Sequence, residues 1–75
     1  MIEAMNQAWR RVVQIDDLER GTHRLNPEKV DRYARLLGLG EVPPPIRIAG
    51  NTVRDGHHRI AAAERMGRTT IQAVG

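Results

Sequence analysis

One stretch limits this chain more than any other: Val53-Arg54-Asp55-Gly56-His57-His58-Arg59-Ile60-Ala61-Ala62-Ala63. A short apolar strand runs through Asp-Gly straight into an alanine-rich helix, with no linker between them. Gly56 reaches backbone angles closed to other residues, so the chain can turn sharply there. The first N–H groups of the new helix have no partner inside it. Together with the helix dipole they form a ready anion site. Arg59 falls on the first turn, where its guanidinium fork can close on a phosphate. The pattern is weaker than a full Walker A motif, since it has one glycine and no Lys-Ser/Thr pair.

Flanking segments suggest what this unit packs against. Arg11-Val12-Val13-Gln14-Ile15 is rich in β-formers and reads as a strand. Asp16 to Arg24 is polar and reads as a loop. Asn26-Pro27-Glu28 is a strong helix start: a cap residue, Pro at the first helical position, and an acid in the first turn. Val30, Tyr33, Ala34 and Leu37 then share one face, and Gly38 or Gly40 ends the helix. Pro43, Pro44 and Pro45 make a stiff extended lead-in. Ile46-Arg47-Ile48 and Thr52-Val53-Arg54 form a hairpin about Gly50-Asn51. The second helix runs from about His57 to Met66, with Gly67 just past its end, and Thr69 to Val74 is a final strand. The expected fold class is α/β in the α+β sense, a small compact domain with a mixed sheet flanked by helices. Residues 1–10 read as a helical extension or tail, with Ile2, Met5 and Trp9 at helical spacing, and residues 11–75 as the domain.

Composition excludes several classes. A chain of 75 residues is one small domain, which buries only roughly 60% of its unfolded surface. With no cysteine there is no disulfide and no thiolate metal site, which suits a reducing, cytoplasmic setting. Aromatic content is 3%, which argues against a stacking platform for single-stranded nucleic acid. No run approaches the ~20 apolar residues of a membrane span, so no membrane partner is expected. Glu3 and the lack of a continuous apolar core do not read as a signal peptide.

Charge is unevenly placed. Residues 1–43 balance seven basic against seven acidic side chains. Residues 44–75 set Arg47, Arg54, Arg59, Arg65 and Arg68 against Asp55 and Glu64, so the whole net charge of +3 lies there. Arginine suits bidentate phosphate contacts, although a GC-rich genome and a solvated face give the same bias. Asp55 fits a helix cap better than a magnesium ligand. His57 and His58 point about 100° apart on a helix and do not readily chelate one metal.

At Asp55-Gly56-His57-His58-Arg59 the chain resembles the ParB/sulfiredoxin superfamily. Residues 11–75 follow its layout: an opening strand, a polar loop with Arg24, a helix, the Pro45-Ile46 strand, a hairpin, then a Gly-x-x-Arg turn into an alanine-rich helix. Members include cytidine-triphosphate-dependent partition clamps, ATP-dependent sulfiredoxins, free-serine kinases and some nucleases. The resemblance implies that Gly56, His57, His58, Arg59 and Arg24 hold the phosphates of a nucleoside tri- or diphosphate such as ATP or CTP. Mg²⁺ is expected beside them, with Asp55 as its candidate ligand. Asp16 and Glu19 are the candidate catalytic acids, by analogy with the serine-kinase-like branch.

The sulfiredoxin cysteine falls at His57, and the chain has no cysteine, so that activity is excluded. The partition proteins carry a helical DNA-reading region after this domain, and here the chain stops at Gly75. The leading expectation is therefore nucleotide phosphate binding, with NTPase or phosphotransfer activity left open. The alternative is a DNA-interacting module or weak nuclease without nucleotide turnover. A plain scaffold is the third reading. A homodimer is compatible with all three, because so small a domain gains buried area by self-association.

Overall fold

The computed structural model describes residues 10–75. The spacing of Ile2, Met5 and Trp9 lies outside the described residues. Four strands and two helices follow in order: β1 (Arg10–Gln14), α1 (Pro27–Gly38), β2 (Ile46–Ala49), β3 (Thr52–Asp55), α2 (His57–Arg65) and β4 (Thr70–Val74). They form an α+β fold on one mixed sheet of order β1-β4-β2-β3. β1 runs antiparallel to β4 and β3 antiparallel to β2, while β4 lies parallel to β2. No helix among the described residues is long and apolar enough to cross a membrane.

Strand alternation decides which face is covered. Ile46 and Ile48 are buried and their neighbours Arg47 and Ala49 are exposed, as the two-residue period of a strand requires. Ile15, Val53, Ile60, Ala63 and Ala73 complete the core with those two isoleucines. Each fully buried isoleucine contributes roughly 1.5–3 kcal/mol. α2 packs on β2 and β4, and α1 packs on α2. Buried Ala34 on α1 and Ala62 on α2 keep both helices narrow. Arg65 also pairs with Asp31 across the two helices.

The helix ends obey local rules. The Asn26 side chain accepts the Glu28 N–H at 2.9 Å, with Pro27 at the first position. α2 ends with the Gly67 N–H on the Glu64 carbonyl and the Arg68 N–H on that of Ala63, both at 2.9 Å. That pair of bonds is a Schellman closure. Three features were not in the sequence reading. Ile15–Asp17 is a 3-10 turn rather than strand and loop, and it buries Ile15. Glu19 exchanges backbone hydrogen bonds with Asn51 and Val53, at 2.8 and 2.9 Å, along the open edge of β3. The register steps from Arg47↔Asp55 to Ile48↔Val53, so Arg54 is an extra residue on β3. Such a bulge bends a strand just where it must hand over to another element.

Gly56 is where that handover occurs. Its φ is +111°, and a Cβ built there would lie 2.4 Å from Cγ2 of Ile46. Left-handed strain and overpacking then act together. Gly56→Ala should therefore lower unfolding free energy by about 3 kcal/mol, read from the denaturant midpoint. An unchanged midpoint would refute the contact.

Candidate functional site

The turn forms one wall of a cleft of about 530 Å³. At that wall α2 is uncapped. Gly56 is the cap residue and has no side chain to offer, so Asp55 does not cap the helix as its position suggested. The first intrahelical bond is Ile60 N–H to the Gly56 carbonyl at 3.0 Å. The amides of His57, His58 and Arg59 come before it, at the positive end of the helix dipole.

Asp55 instead pairs with Arg59, at 2.9 Å. The same guanidinium donates to the carbonyls of Pro44, at 2.9 Å, and Pro45, at 2.8 Å. Only 11% of the Arg59 side chain is exposed. Arg59 thus ties the proline lead-in of β2 to the first turn of α2. Proline supplies carbonyls but no N–H, so the Pro43–Pro45 segment can only accept, and arginine is the natural donor.

Three other cations line the cleft: Lys29 and Arg32 from α1, and Arg54 from the bulge. None of them forms a salt bridge among the described residues. With the Arg59–Asp55 pair internally neutral, the cleft keeps three uncompensated positive charges. Sequence reading did not single out Lys29 or Arg32, and took Arg54 only as part of the basic second half. One signal was available: Lys29 sits in the first turn of α1, where the helix dipole disfavours a cation.

Histidines hold the loop over this wall. The His23 ring stacks on His57 with centroids 4.1 Å apart, and meets His58 edge-on at 5.8 Å. His57 Nε2–H donates to the Arg20 carbonyl at 3.1 Å. His58 Nε2 accepts the Asn26 N–H at 3.0 Å, which places the proton of neutral His58 on Nδ1. Arg20 clamps Glu64 with two bonds of 2.7 Å, and those bonds hold the Glu64 carboxyl below the usual range. No group of three or more His, Cys, Asp or Glu side chains converges to hold a metal ion among the described residues.

Of the expected site residues, the fold gathers Asp55, Gly56, His57, His58 and Arg59 at the cleft. Arg24, Asp16 and Glu19 are exposed and are not part of its lining. No protein-family model matches this chain, and no curated protein does.

His58 gives the cleft a pH dependence. Partial burial, then the charges of Lys29, His23 and His57, lower its pKa below the usual imidazole value of 6.5. A lowered imidazole pKa favours the neutral form in the folded state. Its contribution to stability is complete above pH 6.5 and is lost as pH falls through the folded value. Urea midpoints measured from pH 8 to pH 5 should fall less steeply for His58→Asn than for the wild-type chain. Parallel curves would remove His58 from the account.

Proposed function

We propose that the cleft at the N-terminus of α2 binds the phosphates of a nucleotide. One observation carries this reading: the uncapped start of α2 lines one cleft with three cations, Lys29, Arg32 and Arg54, that form no salt bridge among the described residues. An anion would satisfy the amides and relieve the mutual repulsion of the cations at the same time. Resemblance of the Gly56-to-Arg59 turn to the ParB/sulfiredoxin superfamily supports the same ligand class.

Binding is the supported part. Phosphoryl transfer needs a group that orients the attacking atom beside the terminal phosphate. Among the described residues, the only carboxylate in the cleft lining is Asp55, and Arg59 holds one of its oxygens. Magnesium commonly takes one or two carboxylates and shares its other positions among water and substrate phosphates. Asp55 fits that partial role and would hold the ion jointly with the ligand. The ion would neutralise phosphate charge there.

A second reading has its own observation. Arg10 and Arg47 both register with Val74, so they sit in one row on the sheet face opposite buried Ile46 and Ala73. Both are exposed. That row fits backbone contacts to DNA.

Thermal unfolding with ATP, CTP, ADP and GTP, each with and without Mg²⁺, tests the first reading. A ligand that binds only the folded chain raises the midpoint. Lys29→Ala and Arg32→Ala should each weaken nucleotide affinity by about tenfold, the scale of one charged hydrogen bond. Arg59→Ala should also lower the ligand-free midpoint, because it releases the Pro44 and Pro45 carbonyls. No shift with any nucleotide, together with duplex affinity that falls steeply as salt rises, would favour the DNA reading.

A further inference from the structure

Rings gather where the cations do. The chain has three His, one Tyr, one Trp and no Phe, and Trp9 lies outside the described residues. The other four rings, His23, His57, His58 and Tyr33, all line the same cleft. Phosphates are held by cations and amides and have no use for a ring. A ligand that needs both carries an aromatic group.

The rings are not equivalent. His23 is stacked face to face on His57, with 12° between the planes, and His58 meets it edge-on. The His57 and His58 nitrogens are bonded to the Arg20 carbonyl and the Asn26 N–H. These three rings hold the loop in place. Tyr33 has no ring partner and no hydrogen bond from its hydroxyl among the described residues. It is half-buried, yet it is not among the residues packed against the hydrophobic core. On α1 it follows Lys29 by four residues, which puts ring and ammonium on one helix face, and Arg32 lines the same cleft.

We propose that Tyr33 is the platform on which this cleft stacks an aromatic base. The ligand is then a nucleotide rather than inorganic polyphosphate or a phosphosugar. This inference rests on the phosphate reading above and adds the base to it. Lys29, Arg32, Arg54 and the α2 amides take the phosphates, and the Tyr33 ring takes the face of the base. At about 530 Å³ the cleft has the size usual for a small-molecule site. Stacking on a single ring uses the π-face that every base has, so purine and pyrimidine nucleotides are both accepted.

The plain rival is that Tyr33 only packs α1 against α2. Calorimetric titration of the whole chain separates the two, with ATP and inorganic tripolyphosphate as probes and Tyr33→Phe and Tyr33→Leu as variants. Tyr33→Leu should weaken ATP by about tenfold, leave tripolyphosphate affinity unchanged, and bring ATP down towards tripolyphosphate. Tyr33→Phe should retain wild-type affinity for both. A Tyr33→Leu chain that binds ATP as tightly as wild type overturns the proposal. So does an equal loss for both probes, which would mark a packing role. Wild-type binding of tripolyphosphate as tight as that of ATP would refute the base platform while leaving the phosphate reading intact. Binding of neither probe would end both.

Discussion

A Cβ on Gly56 would come within 2.4 Å of Cγ2 and 2.8 Å of Cβ of Ile46. The missing side chain therefore sets the distance between the turn and the sheet. Ile46 is fully buried and pairs in register with Ala73 of β4, so it cannot retreat without disturbing the central strand pair. The start of α2 is fixed to within the thickness of a methyl group. From that fixed start the helix axis, the placement of Ile60 and Ala63 in the core, and the direction of the first amides all follow. One residue meets a packing demand and a site demand together. Its presence in the sequence is thus by itself no proof of a ligand, because the fold needs it regardless.

Arg59 resolves a similar double demand. A guanidinium on the first turn of a helix opposes the dipole. Here it reaches past the turn to Asp55 and to the carbonyls of Pro44 and Pro45. The proline segment needs an external donor, and a half-exposed strand end needs a staple. Both are met by a residue whose spacing suggested a phosphate clamp. The consequence is a division of labour. Arg59 builds the wall of the cleft, and Lys29, Arg32 and Arg54 line it without a salt-bridge partner among the described residues.

Much of this fold was legible because its rules are local. Asn26-Pro27-Glu28 started α1, Gly67 followed α2, and Ile46-Arg47-Ile48 alternated as a strand; each depends on neighbours within a few positions. The gathering of Asp55 to Arg59 was legible for the same reason, as one contiguous turn. What escaped depends on partners far along the chain. Nothing near Glu19 announces that its backbone will pair with Asn51 and Val53. Nothing near Arg20 announces Glu64, 44 residues away. The bulge at Arg54 arises from the register between two strands, which a single strand's pattern does not contain. Lys29 and Arg32 escaped notice because the apolar stripe of α1 was the stronger signal and a cleft requires two elements.

The cleft carries an energetic tension that explains its organisation. The positive end of α2, three unpaired cations and a cluster of three histidines are collected within one small space. Like charges that share a cleft repel, although solvent screens exposed ones. The fold reduces the strain by keeping His58 neutral, its Nε2 turned to the Asn26 N–H. It neutralises Arg59 with Asp55 and draws Arg20 away to Glu64. Arg54 and the α1 cations receive no such partner among the described residues, and all three are exposed, so the remaining repulsion is a small, salt-screened cost to the free chain. Local strain of this kind persists where the surrounding packing over-determines it, and the Gly56–Ile46 contact supplies that packing. An anionic ligand would remove the cost, so binding and folding are coupled through the same few charges. Removing a cation should then stabilise the empty chain while it weakens the ligand. That opposition of signs separates a site from an ordinary basic surface, where loss of a charge leaves both almost unchanged.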